Sequence, residues 1–270
     1  MIKKPIMVCE LGKEHNGDIE KAKQMLREAK KCGFDIAKLQ AYSLDDLNDK
    51  HSNNRRYRQC WFNLEQLGDL AKYAYDIEMP LFCSVFSKSM IKPLSVIFRE
   101  IKIPSTYLTN EVFVRECINS FSTVHISTGM HTLEEITACY RAYTNYNRAL
   151  TSPRTLIFYH CVSEYPTMFV DSKLSRLKLI EPNLNGFSDH SIGNRQMLVA
   201  ALLGASIIEK HFSLSPSAAS WCISPDEMIE FNSLVTMMIE GISDKEMTET
   251  ERKNYDFYKT EFESLNTNRK

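Results

Sequence analysis

Two lysines interrupt apolar runs of this 270-residue chain: Lys38 within FDIAKLQ (34–40) and Lys102 within REIKIPS (99–105). A buried ammonium is costly unless an anion compensates it. That anion is either a bound phosphate or carboxylate or a neighbouring glutamate, and spacing alone leaves both open. Ser105, Ser127 and Ser188 fall at similar places in their own segments and are the hydroxyls that, with the lysines, would cradle such an anion. His190 in GFSDH and His211 in IIEKHF could share one metal with water and substrate oxygens. A single histidine at a strand end is more often a satisfied core residue; a pair on successive strands makes metal binding a serious alternative. Two carboxylates flank Gly12. Glu10 lies deep enough to pair with Lys38 or another buried cation. Glu14, a short turn later, is a candidate proton acceptor, with a solvent-facing turn glutamate as the plain alternative.

These residues need elements that bring them to one place. Eight short apolar segments alternate with helical stretches: 5–11, 34–40, 79–86, 99–105, 123–129, 154–161, 185–190 and 206–212. Near-continuous hydrophobic runs of this length suit strands buried on both faces of a parallel sheet. Between them, Ile19, Ala22, Met25, Leu26 and Ala29 recur at helical spacing and close at Gly33. Asn63 with Gln66, Thr132 with Glu135 and Ser224 with Glu227 have capping-box spacing, and Pro225 suits a first helical position. Eight strand–helix units without an interrupting linker predict a single (β/α)₈ TIM barrel over 1–242, followed by a polar helical tail over 243–270. Each strand candidate is apolar at its start and polar at its C-terminal end. All those ends meet at one rim of a barrel, where barrel active sites are built.

Lys and Arg total 33 against 34 Asp and Glu, a net charge of −1, which argues against a nucleic-acid partner held by bulk electrostatics. Eight cysteines occur without a CxxC pair, several inside apolar runs such as LFCSVF, where a free thiol packs as a small hydrophobe. The apolar stretch before Glu10 is too short for a secretory signal, and no run approaches the ~18 residues of a membrane span. A reducing, cytoplasmic compartment is expected, with a disulfide scaffold as the alternative.

Six segments resemble the sialic acid synthase family in its order and spacing. They are CELGKEHNGDIEKAKQMLREAKKCGFDIAKLQ (9–40), KIPSTYLTN (102–110), ISTGMHTLEEI (126–136), HCVSEYPT (160–167), GFSDHSIG (186–193) and LGASIIEKHF (203–212). The resemblance implies a barrel that condenses phosphoenolpyruvate with an aldose, an N-acetylhexosamine in the family, releasing phosphate and forming a 2-keto-3-deoxy sugar acid. It implies that Lys38, Ser84, Lys102, Ser105, Ser127, Ser163 and Ser188 hold phosphoenolpyruvate, that Gln40 and Tyr165 face the sugar, and that His190 and His211 hold a divalent metal, usually Mn²⁺, with Mg²⁺ or Co²⁺ as substitutes. Lys38, His211 and Glu14 are the expected catalytic groups. A homodimer is also expected by resemblance.

The chain departs from the family pattern at several points. Glu14 stands where relatives carry asparagine, and Cys83-Ser84-Val85-Phe86 replaces a Ser-Thr-Pro-Phe strand end. The Gly-Pro-Asp segment that follows the second histidine has no counterpart in FSLSPSAASWCISPDEM, and no antifreeze-like C-terminal domain is recognisable. These departures concentrate on the acceptor side. They keep two alternatives open: a condensing enzyme for a phosphorylated aldose, for which Arg55, Arg56 and Arg58 offer a basic cluster, and an inactive barrel that binds a sugar acid or a partner protein.

Overall fold

A computed structural model of the protein describes residues 3–47, 54–179, 186–215, 219–242 and 247–267. Eight parallel strands close on themselves in sequence order: β1 (Ile6–Glu10), β2 (Ile36–Ala41), β3 (Leu81–Val85), β4 (Glu100–Ile103), β5 (Thr123–Ser127), β6 (Thr155–Cys161), β7 (Gly186–Asp189) and β8 (Ile207–His211). Closure is made by β8 against β1, with Glu10 opposite His211. The helices are α1 (Ile19–Cys32), α2 (Asn54–Gln59), α3 (Leu64–Asp76), α4 (Ile91–Ile97), α5 (Glu111–Ser120), α6 (Leu133–Arg148), α7 (Arg176–Leu179), α8 (Arg195–Leu202), α9 (Pro225–Ile242) and α10 (Glu249–Thr267). The architecture is a single (β/α)₈ barrel, and each expected strand is present with its ends shifted by no more than two residues.

The local signals act as their chemistry requires. Asp18 caps α1 by accepting from the amides of Glu20 and Lys21, and Gly33 ends it in the left-handed region at φ 95°. Asn63 with Gln66 and Thr132 with Glu135 form reciprocal capping boxes on α3 and α6. Asn232 on α9 donates to the Cys32 carbonyl at the end of α1, so α9 completes the helical ring beside the first helix. Residues 243–246, where the expected tail begins, lie outside the described residues, and α10 follows them.

Period-two alternation divides the apolar residues into two cores. Odd or even positions that face outward, such as Met7, Ala37, Ile101 and Ile126, pack under the helices in the main core. Their alternates face the lumen, where Val8, Phe82, Tyr159 and Ile207 form a second, smaller cluster. Above that plug, the next inward residues are Glu10, Lys38, Ser84, Lys102, Ser127, Ser188 and Glu209, all buried. The apolar plug thus serves as a floor for a polar layer at the C-terminal end of the barrel.

Candidate active site

The polar layer opens into a cavity of about 240 Å³ lined by all eight strand ends or their following loops. A larger concavity of about 1120 Å³ lies at the opposite end between α3 and α4, where Lys72, Asp76, Glu78, Arg99 and Glu100 stand among apolar residues.

The cavity floor is an ionic cluster. Lys38 Nζ pairs with Glu10, lies 3.3 Å from Glu209 Oε1, and donates to Ser84 Oγ at 2.6 Å. Lys102 Nζ donates to the same Glu209 oxygen at 2.6 Å, and Ser188 Oγ does so at 3.0 Å. The buried lysines are therefore compensated by glutamates, the alternative that spacing had left open. Burial alone would raise the Glu209 pKa, but the Lys102 and Lys38 ammoniums outweigh it and hold that carboxyl well below the usual range. Glu10 shifts upward instead, through burial first and repulsion from Glu209, against the pull of Lys38. Burial opposes the Lys38 charge, yet Glu10 and Glu209 together keep its pKa raised, whereas burial prevails at Lys102 and lowers it. Glu209 Oε2 has no hydrogen-bond partner among the described residues.

One wall is a cradle of hydroxyls around bare backbone. Gly129 N donates to Ser105 Oγ at 3.0 Å. A Cβ at Gly129 would sit 2.6 Å from Ser163 Oγ and 2.9 Å from both Ser105 Oγ and Cys161 Sγ. Only glycine lets these three groups converge, as an anion-binding concavity requires.

The other wall carries the histidines. His190 Nδ1 lies 2.7 Å from the Val162 carbonyl, an obligate acceptor, so Nδ1 bears the hydrogen and Nε2 keeps its lone pair. Burial holds both imidazoles at a pKa of about 3, helped by His211 at His190 and by Lys38 at His211. Both rings are neutral at ordinary pH. Their ring centroids lie 5.7 Å apart, and the Tyr165 ring covers His190 at 4.1 Å. Trp221 stands edge-on to Tyr165 at 5.6 Å. Gly12, at φ 55°, lets the backbone approach His211 so closely that a Cβ would meet Nδ1 at 2.9 Å. Among the described residues no group of three metal-ligating side chains occurs. Two neutral imidazoles with room for outside oxygens fit a divalent metal completed by water and substrate.

Lys38, Gln40, Ser84, Lys102, Ser105, Ser127, Ser163, Tyr165, Ser188, His190 and His211 all line this one cavity. Glu14 does not. Its carboxylate turns to Arg56 at 3.6 Å and is not among the lining residues. Arg56 also donates to Asn16 Oδ1 at 2.7 Å and to the Lys13 carbonyl at 3.1 Å, so it ties the β1–α1 turn to α2. That commitment weakens the arginine cluster as a phosphate site. Sequence reasoning passed over Glu209, although its parity with His211 in IIEKH places both on the lumen face. Lys210, with the opposite parity, pairs behind the barrel wall with Asp189 at 2.7 Å.

Known proteins resemble this chain in sequence and in fold. The NeuB family profile matches residues 25–246. An uncharacterized protein of Methanocaldococcus jannaschii is 32% identical over 77% of this chain and 62% of its own length. The N,N'-diacetyllegionaminic acid synthase of Legionella pneumophila is 28% identical over 78% of this chain and 64% of its own. The chain thus spans less than two thirds of either relative. The crystal structure of N-acetylneuraminic acid synthetase from Leptospira borgpetersenii, in complex with citrate, superposes with a TM-score of 0.79 at 23% identity, covering 94% of this chain and 91% of that one, which establishes the shared fold.

Proposed function

The chain belongs to the NeuB family, and from that premise we propose that it condenses phosphoenolpyruvate with an N-acylated aminohexose to give a 2-keto-3-deoxy sugar acid and phosphate. The observation that carries this reading is the convergence, in one rim cavity, of two buried ammoniums, a hydroxyl cradle and a neutral histidine pair.

Each residue has a task in that reaction. Lys38 and Lys102 exchange part of their pairing with Glu10 and Glu209 for the carboxylate and phosphate of phosphoenolpyruvate. Ser105, Ser163 and the bare Gly129 backbone hold the phosphate oxygens, and Ser127 and Ser188 border the same space. His190 and His211 would hold a divalent cation, Mn²⁺ by preference, which when bound supplies Lewis-acid polarisation of the open-chain aldehyde. Gln40 and Tyr165 face the acceptor. The methylene carbon of phosphoenolpyruvate forms the new bond to the aldehyde carbon, whose oxygen becomes an alkoxide. Water adds to the resulting cationic carbon and loses one proton to leave a hydroxyl; that hydroxyl becomes the ketone as the carbon–phosphate-oxygen bond breaks, and its proton leaves with the phosphate. The proton that water loses equals the one the alkoxide gains, so a cavity carboxylate need only relay it. Glu10 fits that relay better than Glu14, which stands outside the cavity, and better than Glu209, which two ammoniums keep ionised.

Phosphate release from phosphoenolpyruvate is the direct test, assayed with a panel of N-acylated and phosphorylated aldoses, with Mn²⁺ and with chelator. Release with an N-acylated aminohexose and Mn²⁺ is expected. Calorimetry showing no binding of phosphoenolpyruvate at millimolar concentration, together with no release, overturns the reading and leaves the inactive barrel. Release confined to phosphorylated aldoses moves the assignment to that acceptor class.

A further inference from the structure

The apolar plug beneath the cavity contains a polar chain that ends under Lys102. The Tyr159 ring lies below the Lys102 ammonium, with Nζ 4.3 Å from the ring centroid. Tyr159 Oη is 2.8 Å from His125 Nδ1, and His125 Nε2 is 2.9 Å from Glu100 Oε2. His125 is itself clamped by Phe82, stacked at 4.5 Å and 15°. Tyr159 and His125 are buried in the lumen, while the Glu100 side chain is 39% exposed at the N-terminal mouth.

We propose that Tyr159 is a positioning residue for Lys102, held in place through His125 by Glu100 at the opposite end of the barrel. The inference rests on the reading above, in which Lys102 receives phosphoenolpyruvate. The hydrogen-bond direction follows from the groups present. A carboxylate 2.9 Å from Nε2 requires a hydrogen on that nitrogen. Burial keeps His125 neutral, so Nδ1 is bare and Tyr159 O–H donates to it. A phenol that donates to an imidazole backed by a carboxylate has a more electron-rich ring, and that ring face is what the ammonium meets.

Lys102 needs such a second partner. Its one carboxylate contact, Glu209 Oε1, is shared with Lys38 and Ser188. When an anion enters and draws Lys102 away from Glu209, the fixed ring face keeps the ammonium within reach of both. Space for the ring is provided by Gly186, its direct register partner on the adjacent strand β7, where a Cβ would come within 2.7 Å of Tyr159 Cδ1 and Cγ. The backbone at Gly186 has no left-handed angle, so a methyl there acts through its contacts, first the Tyr159 ring and then the Phe158 carbonyl oxygen at 3.0 Å.

The test is a double-mutant cycle read as the Kd of phosphoenolpyruvate by calorimetry, without acceptor. Tyr159→Leu should weaken binding on the order of tenfold, the loss of a desolvated cation–π contact. Tyr159→Phe, which keeps the ring and breaks the chain to His125, should weaken it less, and Gly186→Ala should also weaken it. In a Lys102→Met background all three should have no further effect. Losses that persist in that background would show Tyr159 to be packing only and overturn the proposal. An unchanged Kd in Lys102→Met alone is a distinguishable result: it refutes the role of Lys102 and the proposal with it. Should Tyr159→Leu not fold, the two conservative variants complete the cycle. Nitrogen-15 spectra of His125 in the ligand-free protein give an independent readout, with the Nε2–H tautomer expected and the Nδ1–H tautomer contrary to the proposal.

Discussion

In the proposed reaction, Lys38 is the residue on which phosphoenolpyruvate binding would depend most directly. Its ammonium lies between Glu10 and Glu209 and against Ser84. Lys38→Met keeps the apolar stem and removes the charge. Charge-assisted contacts contribute about 1.5–3 kcal/mol, so the Kd for phosphoenolpyruvate should rise roughly tenfold to a hundredfold. The variant also leaves Glu10 and Glu209 facing each other, so stability should be measured alongside; a parental Kd would place the anion elsewhere. His15 illustrates the opposite case, a rim histidine that is structural. Gly17 N donates to its Nδ1 at 3.0 Å, its Nε2 lies 3.1 Å from the Gly12 carbonyl, and Phe62 stacks on it at 4.4 Å. Burial lowers its pKa to about 4. The folded pKa lies below the unfolded one, so the unfolded chain takes the proton first as pH falls. The stabilisation is complete above about pH 6.5 and is lost progressively down to about pH 4, at a total of ~3 kcal/mol. Urea unfolding at pH 7 and 4.5 should show a decline ~2–3 kcal/mol smaller in His15→Gln than in the parent. Equal declines would remove His15 from the account.

Among the elements, the β1–α1 turn does more than connect. Residues 11–18 bring Gly12 against His211, Gly12 N onto Glu10 Oε1 at 2.6 Å, and Gly17 against the Gln59 carbonyl at the end of α2. The turn thereby couples the histidine wall, the ionic floor and the rim. Gly12→Ala sets a methyl 2.9 Å from His211 Nδ1 at a backbone angle that alanine resists. Mn²⁺ affinity, measured by calorimetry on the folded variant, should fall about 10–100-fold, as for other changes to groups that orient a ligand. An unaltered affinity would mean that His211 is not held by this contact or is not a ligand. The same turn explains why Glu14 was a misleading candidate. In the chain it stands only four residues from Glu10, but the left-handed angles at Gly12, Asn16 and Gly17 rotate it toward Arg56.

For the molecule as a whole, closure of the barrel is the decisive event, because β1 and β8 contribute Glu10, Glu209 and His211 to a single cavity. Behind that seam, Lys210 and Asp189 are fully buried and join β8 to β7, with Lys210 also donating to the Ser191 carbonyl. Removing one partner of such a pair leaves an uncompensated charge, so Asp189→Asn should cost about 3–5 kcal/mol in denaturant unfolding. A change below 1 kcal/mol would show that water or rearrangement reaches Lys210. Replacing both residues by apolar ones of similar size should recover much of the loss.

The strand and helix pattern, the capping boxes and the rim clustering were legible in the linear order because they depend on local periodicity and on residues three or four apart. The candidate list was legible for the same reason, since strand parity and strand-end position place Lys38, Lys102, the serines and both histidines. Which partner each buried charge takes was not. Glu209 lies 107 positions from Lys102 and reaches it only once the barrel closes. The orientation of Glu14, the glycine that opens the cradle between Ser105 and Ser163, and the Tyr159–His125–Glu100 chain likewise depend on contacts between residues tens of positions apart, made only when neighbouring strands and loops pack. Distance along the chain carries no information about electrostatic pairing across a lumen, and only the closed barrel supplies it.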